Sequence, residues 1–146
     1  MKSKPLTLRA VKDVSVARTA RVLADLHART FSPTVPFPGV WPAYWWVVYD
    51  GKKPAAFAFM CGSDRYADTG YFGRVGVLPE YRGRGLQRRL MRAAERKARA
   101  LGWIAMVSDT RNKPCSAANF KALGYEQFTP ENPWDFPCAI YWRKEL

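Results

Sequence analysis

The chain has 146 residues, of which 48% are hydrophobic and 14% aromatic. That is enough to bury a core in one compact domain over residues 1–146, and too much for a disordered segment. With 24 Lys and Arg against 12 Asp and Glu, its formal charge is +12, which favours anionic partners such as nucleotides, nucleic acid or acidic proteins.

No apolar run approaches the ~18 residues of a membrane-spanning helix. Met1 to Pro5 is basic with no apolar run behind it, so no signal peptide is expected. Three widely spaced cysteines (Cys61, Cys115 and Cys138) read as reduced thiols of a cytoplasmic protein, and one histidine leaves no metal-ligand spacing.

In chain order, Leu6 to Ala10 predicts a short first strand. Asp13 is placed to cap a helix whose apolar-leaning face carries Val16, Ala20, Leu23, Ala24 and His27. His27 on that face reads as a packed or capping residue before a catalytic one. Pro33, Pro36, Pro38 and Pro42 forbid a regular helix over residues 31–42. The predicted loop carries Phe31, Phe37 and Trp41. Tyr44 to Tyr49 is strand-like, Asp50 and Gly51 signal a hairpin turn, and Ala55 to Met60 returns as the partner strand. A polar loop is expected from Cys61 to Gly70.

Tyr71 to Val77 alternates bulky and small residues, as a strand with one crowded face would. Pro79 ends it, because proline cannot donate to a ladder. Gly83 and Gly85 then punctuate a tight turn. From Leu86 the apolar positions fall at helical spacing through Leu90, Ala93, Ala94, Ala98 and Leu101, with Gly102 as C-cap. Trp103 to Ser108 reads as a buried strand, Pro114 to Leu123 as a short helix closed by Gly124, and Ala139 to Arg143 as a last strand. No internal repeat or linker is visible.

The strand–turn–helix unit is the most informative stretch. A helix start presents free N–H groups and the positive end of the helix dipole, which suits a phosphate. Glycines keep Cβ atoms out of a bulky anion's way. Arg82, Arg84, Arg88 and Arg89 add charge at the same place. Between Arg82 and Arg99 there are eight basic residues and a single acid, Glu95. A tight turn followed by a solvated basic helix would read similarly. The turn fits neither a Rossmann nor a Walker pattern.

Taken whole, the stretch resembles the donor-binding motif of the GNAT superfamily of N-acetyltransferases. That motif is a strand ending Val-x-Pro, then Arg/Gln-x-x-Gly-x-Gly/Ala at a helix start. Val77, Leu78 and Pro79 match the strand end. Arg82, Gly83, Arg84, Gly85 and Leu86 match the turn, with Gln87 standing where the family has a small residue. A second family motif, Asn-x-x-Ala/Ser-x-x-x-Tyr-x-x-x-Gly-Phe/Tyr, is matched by Ser116, Gly124 and Tyr125. Asn112 lies one residue early, and Phe120 occupies the tyrosine position.

The resemblance implies an α/β fold with a GNAT-like mixed central sheet flanked by helices, along nearly the whole chain. It implies acetyl-CoA as acetyl donor, with the pyrophosphate on the N–H groups from Gly83 to Arg88 and the pantetheine arm beside Val75 and Val77. Asn112, Ser116 and Phe120 would complete the donor site. An unidentified amine acceptor would attack the thioester directly in a ternary complex. Aromatic residues of the 31–42 loop would help form its pocket.

Backbone N–H groups can polarise the thioester carbonyl, and a carboxylate can take the amine proton. Asp109, after the fifth strand, is the preferred base, with Asp68 and Asp64 as alternatives; a turn-capping role for Asp109 fits equally well. Phenylalanine cannot protonate the thiolate, so Ser116, Tyr125 or water would substitute, or the thiolate would leave unassisted. Gly73 and Gly76 read either as sites of close chain approach or as packing requirements against the first helix. Two other functions fit the same sequence: a basic nucleic-acid-binding domain, and an acyl-CoA-binding regulator without turnover.

Overall fold

The computed structural model describes residues 5–39, 43–111 and 113–146, so Trp41 and Asn112 lie outside the described residues. The elements are β1 (Thr7–Ala10), α1 (Ala17–Thr30), β2 (Tyr44–Asp50), β3 (Lys53–Gly62), β4 (Thr69–Val77), α2 (Leu86–Ala100), β5 (Ala105–Thr110), α3 (Pro114–Ala122), β6 (Glu126–Phe128) and β7 (Ile140–Glu145). They form one seven-stranded sheet ordered β1-β2-β3-β4-β5-β7-β6. Every neighbour pair is antiparallel except β4 and β5, which run parallel. The mixed sheet flanked by helices is as expected.

The alternation read in the sequence sets the two faces. Phe57 and Phe59 of β3 face α1, whose Thr30 packs over Gly76. Phe72 points to the opposite face, edge-to-face with Phe120 of α3 at 6.3 Å. On that face buried Glu95 of α2 accepts from Lys144 of β7 at 2.6 Å, tying helix to sheet. A register shift between β3 and β4 opposes Phe59 to a bulge at Gly73 and Arg74. Two consecutive residues thereby reach the α1 face, which a regular strand forbids.

Several local expectations change. Asp13 does not cap α1. Its carboxylate takes the Ser15 N–H and hydroxyl at 2.9 and 2.6 Å in the preceding turn, and Val16 holds the N-cap position without a side-chain bond. β3 extends through Gly62 and β4 starts at Thr69, shortening the predicted polar loop. Trp103 belongs to the α2 exit, donating its N–H to Ala98, so β5 begins later. β6 went unread because three residues are too few to show alternation.

Candidate functional site

The site arises where the sheet comes apart. β4 pairs with β5 only from Thr69 to Tyr71, opposite Ala105 to Val107. Beyond that β5 stays with β7 through Thr110 while β4 diverges. At the parting point Ser108 Oγ donates to the Phe72 carbonyl at 2.7 Å, satisfying a group the lost ladder would leave exposed. Farther along, at Val75 to Val77, the open edge of β4 borders a groove of about 830 Å³.

Val75 and Val77 line this groove from β4. Arg82, Gly83, Gly85, Leu86, Gln87 and Arg88 line it from the turn and the start of α2. Ser116 lines it from α3, with Thr30 and Lys113 nearby. Gly83 and Gly85 have φ of +76° and +73°, the left-handed region that glycine alone enters freely. A Cβ on either would point into open space. Gly85 is the N-cap of α2 and no side chain caps that helix start. The uncapped helix start, its positive dipole end and two arginines, Arg82 and Arg88, thus converge on one open concavity.

The remaining predicted residues are placed differently. Arg84 is not among the lining residues and lies over the Tyr81 ring at 5.3 Å. Phe120 is 2% exposed, stacked on Trp142 with centroids 5.7 Å apart, and contributes no lining surface. Tyr125 is also buried. Its hydroxyl donates to Glu95 at 3.4 Å, away from the groove, and burial followed by Glu95 raises its pKa strongly. Gly73 and Gly76 answer to packing: a Cβ on Gly73 would collide with the Phe59 ring, and one on Gly76 with Thr30 and Phe57.

Asp109 is half-buried on the α1 face of the sheet. Its Oδ2 accepts from Tyr71 Oη at 2.9 Å and from Trp134 Nε1 at 2.6 Å. Burial raises its carboxyl above the ordinary 3.8, opposed by those two bonds. Tyr71 in turn is raised by burial and by Asp109. A half-buried carboxylate with raised proton affinity, held on one oxygen, suits a proton acceptor.

Sequence reasoning missed the groups around Asp109. Arg74 Nη1 donates to the Pro36 carbonyl at 2.6 Å and meets His27 Nε2 at 2.7 Å. Arginine only donates, so His27 accepts as neutral imidazole with its proton on Nδ1. Desolvation, then Arg74 and Lys113, lowers the His27 pKa, in keeping with that state. Arg111 pairs with Asp135 at 3.3 Å. Lys113 lies over Phe31 at 4.3 Å. Arg74 did leave a signal: a lone charge between small residues of a mostly apolar strand. Among the described residues no group of His, Cys, Asp and Glu could hold a metal ion. No described helix is long and apolar enough to cross a membrane.

Residues 20–125 match the acetyltransferase (GNAT) family model. The chain belongs to that family. No curated protein matches the sequence. Solved structures share the fold at low identity. One is a ribosomal-protein-alanine N-acetyltransferase from Escherichia coli (TM-score 0.75, 16% identity, 97% of this chain and 94% of that one). A Bacillus subtilis acetyltransferase in complex with CoA gives TM-score 0.75 at 14% identity over 97% and 99% of the two chains. A chain of the NatC complex bound to Gag peptide and CoA gives 0.77 at 15% identity over 98% and 99%.

Proposed function

We propose that this protein is an acetyl-CoA-dependent N-acetyltransferase that moves the acetyl group to a primary amine in a ternary complex. One observation carries the reading: a single groove joins the open edge of β4 to the uncapped, glycine-opened start of α2. An extended pantetheine arm needs backbone partners, and a pyrophosphate needs free N–H groups with positive charge. The groove offers both in that order. CoA in two of the fold neighbours supports the same donor.

In this reading Gly83 to Arg88 hold the pyrophosphate, and the β4 edge aligns the arm so that the thioester lies near the parting point at Phe72. β4 amides polarise its carbonyl. The amine attacks that carbon, the C–S bond breaks, and CoA leaves as thiolate. Asp109 takes the ammonium proton through its Oδ1, directly or through water. Ser116 is the acid candidate that reaches the groove, whereas Tyr125 is spent on Glu95. A thiol of pKa about 8.5 also leaves tolerably unaided.

The test is thermal unfolding with CoA, followed by thiol release from acetyl-CoA across an amine panel. CoA should raise the melting temperature by mass action. No shift at millimolar CoA would overturn the reading. A shift without turnover on any amine would favour the non-catalytic regulator.

A further inference from the structure

The groups on the α1 side of the parting point bear on which amine is used, given the donor reading above. Arg74 projects there because the bulge turns it to that face. Its Nη1 is committed to Pro36 and His27, while Nε and Nη2 have no partner among the described residues. Lys113 stands beside it, and the two cations share the Phe31 ring at 5.8 and 4.3 Å. Among the described residues neither has a carboxylate within ion-pair distance. The nearby acids are engaged elsewhere, Asp109 by Tyr71 and Trp134 and Asp135 by Arg111.

We propose that the acceptor is a small primary amine carrying a carboxylate or phosphate, and that Arg74 and Lys113 hold this anion while the amine faces Asp109. Neutral His27 fixes the guanidinium without cancelling its charge, leaving the outer donors for a planar or tetrahedral oxyanion. The charges of Arg74 and Lys113 have no carboxylate partner among the described residues, although neighbouring Arg111 is paired with Asp135. Lost hydration, then Arg111, Arg74 and Arg82, lowers the Lys113 pKa although its side chain keeps solvent contact. A bound anion relieves that repulsion. The same positive field favours the acceptor's neutral, nucleophilic amine over its ammonium form. The donor's phosphates do not claim Arg74, which is not a lining residue of the groove that holds Gly83 and Gly85; Lys113 does line it and stands where the groove meets the α1 side.

The experiment compares matched amines: O-phosphoethanolamine with ethanolamine, and β-alanine with β-alaninamide. The anionic member of each pair should have a KM at least tenfold lower. Arg74→Gln should erase roughly tenfold to a hundredfold of that preference, as loss of a charge-assisted bond does, with the acetyl-CoA KM moving far less. Calorimetry should show O-phosphoethanolamine binding to the CoA-loaded protein and weakening in Arg74→Gln. His27→Leu should weaken it too, and His27→Gln, which keeps an acceptor for Arg74, should restore it. Equal KM values within both pairs, with CoA stabilisation and turnover intact, would overturn the proposal while sparing the donor reading. An Arg74→Gln effect confined to acetyl-CoA would overturn it by assigning the cation to the donor. Absence of CoA stabilisation would sink both.

Discussion

Gln87 of α2 donates its side-chain amide to Ser116 Oγ of α3 at 2.8 Å, tying together the two helices whose first turns flank the groove. The long side chain that departs from the family's small residue is therefore directed across the groove wall and not out to solvent. Gln87→Ala removes one hydrogen bond between neutral groups, about 1 kcal/mol. The melting temperature should fall by a few degrees while CoA binds as well as before or better. A CoA affinity reduced tenfold or more would instead make Gln87 a phosphate ligand.

Gly85 separates strain from occupancy. At φ +73° any other residue strains the backbone, by about 1–2 kcal/mol. Gly85→Ala carries that cost and adds one methyl in the groove, whereas Gly85→Glu also puts a carboxylate where the pyrophosphate is assigned. Both variants should fold with similarly lowered stability. Only the glutamate should lose the CoA-induced rise in melting temperature. If both keep it, the phosphate site lies elsewhere.

Asp109→Asn probes the base. The amide oxygen still accepts from Tyr71 and Trp134, so the fold and CoA stabilisation should survive. Turnover should fall by about 10²–10⁴, the usual worth of a positioned proton acceptor. The stability effect has a fixed sign. A carboxyl raised above 3.8 binds its proton more tightly folded than unfolded. Stability from this group is therefore lost as pH rises from 3.8 through the raised value. The asparagine variant should gain on the parent across that window, followed by thermal melts at stepped pH. Unchanged turnover would return Asp109 to a purely structural role.

His27 gives the opposite slope. Its folded pKa lies below the ordinary 6.5, so the unfolded chain takes up a proton that the folded chain refuses. Stability present above that value is lost as pH falls towards the folded pKa. His27→Gln should flatten the loss that sets in as pH falls through 6.5. Parallel curves for parent and variant would show that folding leaves the proton affinity of the imidazole unchanged.

The residues 71–91 were legible because everything that makes them a site is local. Alternation specifies β4, Pro79 stops it, the two glycines permit positive φ, and helical spacing starts α2. Contacts within a few residues write themselves into sequence. Asp109 was named from its place at a strand end, but its partners were not, since Tyr71 lies 38 residues away and Trp134 lies 25. Arg74 and His27 meet across 47 residues, through a bulge that no period announces. The inward turn of Phe120 and Tyr125 also escaped: helical position in α3 fixes a direction for Phe120, the chain after α3 fixes one for Tyr125, and only the sheet behind them decides whether that direction is core or groove. The sequence by itself determined the glycine turn and the helix start, because both are local, while the groove they line also needed Thr30 of α1 and the start of α3. Tertiary structure decided the surroundings of Asp109 and Arg74, because those groups come from α1, β4, β5 and two loops that meet only once the sheet has folded and split.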